Sequence, residues 1–252
     1  ALKKGEVSII REMAKEQEEK GASLLDVNVG MPGIDEDKTM KELIYFLSNI
    51  SKLPLVIDSP NPDIVENALR IYPGRALINS ISGDKAKLKK LLSIASKYGA
   101  MFILLPLGGR EMPETAEKRI RIIKEIHKEA VKFGFTKNDF IVDGLTMTVS
   151  SSPRSAVETL KTIEWCKNTL KCGTVIGLSN ISFGLPARKW INSTFLAMAA
   201  AKGLTSAIAN PSIEELTNTK MAADVLLQKD KDAATYIRHF TAKNATTQKD
   251  LV

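Results

Sequence analysis

The chain has 252 residues, 44% of them hydrophobic and 26% charged, the proportions of a globular protein with one sizeable core. This composition excludes a disordered, collagen-like or disulfide-stapled chain. No apolar run approaches the ~18 uncharged residues of a membrane span, and residues 1–5 lack the apolar core of a signal peptide, so a cytoplasmic protein without a membrane partner is expected. The net charge of +7 is scattered over helical faces with only 6% aromatic residues, which argues against a nucleic-acid partner.

The chain opens on a helix over 6–20, whose oppositely charged pairs four residues apart and following Gly21 mark its end. From there, short β-branched or apolar runs alternate with longer amphipathic segments. The runs are 24–29, 54–58, 76–80, 101–106, 140–143, 174–179 and 206–209; the intervening helices fall near 37–50, 62–71, 84–98, 115–133, 155–169, 190–202 and 212–228. The runs are mostly apolar on both faces, as in a parallel sheet covered by helices.

Eight helices against seven strands predict an α/β fold, a (β/α)8 TIM barrel lacking its first strand in this chain. About 250 residues is the usual size of that barrel. The alternative, an open doubly wound sheet, needs a glycine-rich phosphate loop, and Gly108-Gly109 has neither a third glycine nor a helix-opening context. Residues 1–240 form the expected domain, with a short extra helix over 230–240, and 241–252 a linker or tail. A barrel with a gap leaves the strand edges at Leu24 and Ser206 unpaired, which favours a homo-oligomer.

Cys166 and Cys172 lack the spacing and companions of a zinc site and are expected to be reduced structural thiols. His127, among Lys and Glu, reads as a surface residue. A His-dependent hydrolase and a protein-bound catalytic metal are therefore excluded.

In a barrel the informative residues are the polar ones where the apolar runs stop. Asp26 and Asn28, Asp58 and Ser59, Asn79 and Ser80, Asp143 and Gly144, and Ser179 and Asn180 occupy these places, with no Lys, Arg or His among them. Such residues also cap helices, but caps normally fall later, as Ser59, Asn61 and Asp84 do. A rim of carboxylates and carboxamides suits a flat heterocycle bearing several N–H groups better than it suits a phosphate.

The ordered set Gly21-Ala-Ser-Leu-Leu-Asp-Val-Asn-Val-Gly30, Val56-Ile-Asp-Ser59, Leu77-Ile-Asn-Ser80, Val142-Asp143 and Gly177-Leu-Ser-Asn-Ile-Ser182 resembles the pterin-binding, methyltetrahydrofolate-dependent methyltransferases. The likeness runs over about 7–227. Residues 177–188 look most like the folate module of cobalamin-dependent methionine synthase; the free-standing enzymes that methylate corrinoid proteins tend to carry Gln where this chain has Phe183. The Gly-Glu-Arg-Ile-Asn type motif of the family's first strand is missing. Dihydropteroate synthase, a related pterin binder, has a Ser-Arg-x-His type motif where this chain has Ser179-Asn180, and is disfavoured.

The resemblance implies transfer of the N5 methyl group of 5-methyltetrahydrofolate to a cobalt(I) corrinoid, a step of methionine biosynthesis. The alternatives are a free-standing methyltransferase running in either direction and a folate-binding-only module. It assigns Asn180 the catalytic place, its amide aimed at N5. It assigns Asp143 to the two-donor edge of the pterin, Asp58 and Asn79 to the remaining ring nitrogens, and Gly177 to close approach of the ring. Asn28 and Asp26 contact the pterin or brace the barrel mouth, and Arg188 meets the folate tail or holds the Asn180 loop. No Asp-x-His-x-x-Gly type motif is present, so the cobalamin or other corrinoid is expected on a partner domain or protein that docks at the barrel mouth.

Overall fold

The computed structural model describes residues 7–108 and 111–249, with side chains described up to residue 241. In chain order the elements are α1 (Val7–Glu19), β1 (Leu25–Asn28), α2 (Glu36–Ile50), β2 (Leu55–Asp58), α3 (Pro62–Ile71), β3 (Leu77–Ser82), α4 (Leu88–Tyr98), β4 (Met101–Leu105), α5 (Ala116–Lys132), β5 (Phe140–Asp143), α6 (Ser155–Trp165), β6 (Gly173–Gly177), α7 (Arg188–Lys202), β7 (Ser206–Ile208), α8 (Glu214–Leu226) and α9 (Ala234–Lys249). The seven strands form one sheet in the order β1 to β7, every neighbouring pair parallel. This is the α/β barrel expected, with β1 and β7 at its two open ends.

Local chemistry sets most boundaries. Gly21, at φ 85°, takes the left-handed position after α1, and Ala22 N–H closes the turn on the Gln17 carbonyl at 2.9 Å. Asp35 caps α2 through Lys38 N–H at 3.0 Å, and Asn61 with Pro62 opens α3. Three boundaries differ from expectation. The first turn expected for α4 is instead a tight turn in which the Asp84 side chain accepts from Ala86 N–H, so the helix begins at Leu88. Past Trp165 the helix widens into a π turn over Cys166–Leu170. The segment read as a linker or tail is, as far as Lys249, the second half of α9.

Two layers of apolar contacts hold the barrel. Outside the sheet, residues such as Ile57, Ile78, Phe102 and Val142 pack against the helices. Inside it, Val56, Leu77, Ile103 and Val175 form a plug with the partly buried Met101 and Ile141. Across the opening between β1 and β7, Ser212 Oγ donates to Glu16 Oε1 at 2.6 Å and ties the β7–α8 loop to α1.

His127 is half-buried against the Phe140 ring, with centroids 5.4 Å apart, which corrects its reading as a surface residue. Both cysteines are free thiols, Cys166 buried. Among the described residues, no three His, Cys, Asp or Glu gather as a metal site would need, and no helix is long and apolar enough to cross a membrane. Gly109, the second member of the Gly108-Gly109 pair, lies outside the described residues.

Candidate active site

The strand period places the site. Side chains alternate across a strand, so a residue two positions beyond an inward apolar residue also points inward, one layer higher. From Val56, Leu77, Ile103, Ile141 and Val175 this rule leads to Asp58, Asn79, Leu105, Asp143 and Gly177. All five line a cleft of about 580 Å³ at the C-terminal mouth of the barrel, together with Asp26, Leu107, Leu145, Thr146, Ser179, Asn180, Ile208, Ala209 and Asn210. Asp26 pairs in register with Val56, whereas Asn28 pairs with Asp58, so Asp26 sits one layer deeper than its neighbour's carboxylate.

Among the described residues the cleft is lined by three carboxylates and no cation. Burial pushes the Asp143 carboxyl up to about 6, against the Leu145 N–H, which donates to Oδ1 at 2.7 Å, and the nearby charge of Arg119. Solvent reaches Asp26 from the cleft, yet the surrounding wall first and the Asp58 charge second push its carboxyl up to about 6, a hydrogen bond from Asn79 opposing them. Asp58 is also raised by burial; Asn28 Nδ2 donates to its Oδ2 at 2.8 Å and holds it down, while the charge of Glu36 adds to the rise. Near neutrality Asp26 and Asp143 are acceptors held close to the point of losing that role.

Asn180 reaches the cleft by a different device. β6 stops at Gly177, and residues Leu178–Ser182 form a turn of 3-10 helix. In such a turn positions three apart eclipse, and Leu178 and Ile181 are both sunk in the core, at 0% and 1% exposed. Ser179 and Asn180 are thereby left facing out over the cleft. Asn180 is thus beyond the strand and not at its end, as the run 174–179 suggested.

Gly177 serves this arrangement. A Cβ at this position would stand 2.9 Å from Asn180 Nδ2, so the room it leaves in the cleft wall also accommodates the Asn180 amide. Arg188 holds the loop: Nε donates to Ser182 Oγ at 3.0 Å and Nη2 to the Ser179 carbonyl at 2.7 Å. Ser182 Oγ donates in turn to the buried Asn192 at 2.7 Å. From the other side, Thr148 and Ser150 hydroxyls donate to the Phe183 carbonyl at 2.6 and 3.1 Å.

The structure brings Asp26, Asp58, Asn79, Asp143, Gly177 and Asn180 into one cleft, while Asn28 and Arg188 are not among its lining residues and instead bond Asp58 and the Asn180 turn. Asn28 has both its amide ends occupied, by Asp58 and by Gly30 N–H at 2.9 Å. The sequence reading missed Asn210, although the same strand-end rule applied to β7 finds it. It also missed Thr146 and the apolar walls Leu105, Leu107 and Ile208.

Comparison with known proteins places this geometry. The sequence profile described as "Pterin binding enzyme" matches residues 2–210. The methylcorrinoid:tetrahydrofolate methyltransferase of Eubacterium limosum is 30% identical over 243 residues, covering 95% of this chain and 90% of that protein. Two methionine synthases, from Mycobacterium tuberculosis and Mycobacterium leprae, are 32% and 31% identical over 214 residues, which is 80% of this chain but only 18% of each of those proteins. With acceptors ringing the barrel mouth and a match over most of its length, the chain belongs to the pterin binding enzyme family.

Proposed function

We propose that the chain catalyses methyl transfer between N5 of tetrahydrofolate and the cobalt of a corrinoid carried by a separate domain or protein. The observation that carries this reading is that one cleft joins a ring of acceptors for a pterin with an exposed amide, Asn180, on a braced turn above them. The names of the relatives given above, each a folate-corrinoid methyltransferase or a methionine synthase, support it.

The chemistry requires a better leaving group than a tertiary amine. Cobalt(I) attacks the methyl carbon with its electron pair, the carbon–nitrogen bond breaks, and its pair returns to N5, which acquires a proton to give tetrahydrofolate. A hydrogen bond to N5 that strengthens as this charge develops lowers the barrier without holding the substrate more tightly at rest. The Asn180 amide is such a donor, and the solvent that reaches it supplies the proton. Asp143 accepts from the 2-amino group and the adjacent ring N–H in parallel, and Asp58 and Asn79 take the remaining ring nitrogens. Asp26 lies deeper, where it meets the same ring edge. The reverse reaction passes through the same transition state, so one site serves both directions.

The acceptor must reach the methyl group from above. Phe183, directly after the Asn180 turn, and Trp190, in the first turn of α7, are 68% and 62% exposed and offer apolar contact to a docking carrier. The carrier decides whether the chain works as the folate module of a methionine synthase or with a free-standing corrinoid protein.

The test mixes the chain with 5-methyltetrahydrofolate and reduced cobalamin and follows methylcobalamin by absorbance. Accelerated formation with stoichiometric tetrahydrofolate supports the proposal. Tight binding of methyltetrahydrofolate without acceleration leaves a binding-only module, and the absence of both binding and acceleration overturns the reading. Gly177→Ala gives a second check, because its new methyl group displaces the Asn180 amide. A misplacement of about 1 Å can cost ~10²-fold, so transfer should fall at least ~10-fold while the folded protein retains its folate affinity.

A further inference from the structure

Behind the cleft lies a cation that none of these steps uses. Arg119 projects from α5 and is 0% exposed. A buried guanidinium is costly unless its charge is compensated and its N–H groups are bonded. Among the described residues it forms no direct ion pair, and its bonds all go to neutral oxygens. Nε donates to the Pro113 carbonyl at 3.0 Å, and Nη1 to the Gly144 carbonyl at 3.0 Å and Thr159 Oγ1 at 3.1 Å. Nη2 is buried without a partner.

These contacts converge on the turn that follows β5. Gly144 and Leu145 come directly after Asp143, and Leu145 sits in the left-handed region at φ 56°, uncommon for a residue with a side chain. Four bonds hold it there. Arg119 takes the Gly144 carbonyl, Thr159 Oγ1 donates to the Leu145 carbonyl at 3.2 Å, Gly144 N–H donates to the Val175 carbonyl at 2.9 Å, and Leu145 N–H donates to Asp143 Oδ1 at 2.7 Å. The guanidinium therefore sits under the peptide whose N–H aims the Asp143 carboxylate.

The charges around it are few. Asp143 faces Arg119 from the end of β5 and Glu158 from α6. Glu158 is already engaged, by Ala116 N–H at 2.9 Å, Lys161 at 3.1 Å and Arg154 at 3.4 Å. Among the described residues, the other charged groups that line the cleft with Asp143 are the anions Asp26 and Asp58, beside the neutral Asn79 and Asn180.

We propose that Arg119 is a positioning residue for Asp143, bracing from behind the turn that aims its carboxylate and supplying the counter-charge that keeps it an acceptor. The consequence for folate rests on the methyltransferase reading; the effect on Asp143 itself does not. Carbon-13 NMR of aspartate-labelled protein, with the Asp143 resonance identified by its loss in Asp143→Asn, reads that effect directly. In Arg119→Met the Asp143 midpoint should rise by about one pH unit, whereas Arg119→Lys, which keeps the charge, should stay within about 0.3 unit of the unaltered protein.

Calorimetry with methyltetrahydrofolate should show the acid limb of binding displaced upward by the same amount in Arg119→Met and restored in Arg119→Lys. A merely structural residue would move the melting temperature but not this limb. An Asp143 midpoint unchanged in Arg119→Met overturns the proposal whether or not folate binds; failure of the unaltered protein to bind folate instead overturns the methyltransferase reading. Should Arg119→Met not fold, Thr159→Val removes the hydroxyl that links Nη1 to the Leu145 carbonyl while keeping the charge and the bond to Gly144. It should weaken folate binding about tenfold with the Asp143 midpoint in place, and binding within about two-fold of the unaltered protein overturns the proposal.

Discussion

Asn180→Ala is expected to slow methyl transfer by ~10² or more, the scale of removing one preorganised donor, while methyltetrahydrofolate affinity falls far less. The turn around Asn180 is anchored by Leu178 and Ile181 and braced by Arg188, so truncating the amide leaves its backbone in place. The loss therefore reports the hydrogen bond to N5 and not a collapsed loop. Single-turnover transfer to cobalt(I) cobalamin at saturating folate is the measurement, since it separates chemistry from binding and release. A rate within about three-fold of the unaltered protein would make Asn180 a structural residue and remove the proposed mechanism. Asn180→Asp sharpens the result, because an ionised carboxylate offers no donor. Its rate should be as low as that of the Ala variant near neutral pH and recover as the solution is acidified.

The second large effect concerns recognition. Asp143→Asn keeps the shape but turns one acceptor into a donor that faces a donor edge. Hydrogen bonds to a charged partner are worth ~1.5–3 kcal/mol, so affinity for methyltetrahydrofolate should drop roughly ten- to a hundred-fold by calorimetry. The pH dependence has a definite sign. Asp143 and Asp26 are both pushed up to about 6, so the acceptor form prevails above that pH and is lost below it. Folate affinity of the unaltered protein should therefore fall as pH drops through about 6. With both residues changed to Asn, affinity should be low and flat between about pH 5.5 and 7.5. A slope that survives in that double variant would show that other groups control recognition.

How legible all this was in the sequence depends on how local the cause is. Asp58, Asn79 and Asp143 stand two residues past inward apolar side chains, and the strand period projects that spacing directly onto the barrel mouth. The place of Asn180 is less direct. Nothing in the run from Thr174 to Ser179 says that the strand stops at Gly177, because the 3-10 turn is set by how Leu178 and Ile181 sink into a core built by α6 and α7. Arg119 was not legible. It lies among Lys118, Arg121 and Lys124 on an amphipathic helix, the pattern of a solvated face, and its burial follows from contacts to Gly144 and Thr159, 25 and 40 residues away. The start of α4 was misread for a local reason, as Asp84 caps a turn in the way that it would cap a helix.

The strictly consecutive strand order has a consequence for how the site comes into being. Each strand hydrogen-bonds to the next one in the chain, so the sheet can grow in the direction of synthesis with only short loops to close at every step. Asp26, Asp58, Asn79 and Asp143 come together once β5 has docked, without waiting for β6 and the turn that carries Asn180 to dock. The acceptors and the amide are laid down in succession along the chain. A growing polypeptide that has reached α6 already holds the ring of acceptors, and β6 with its turn adds Asn180 to it.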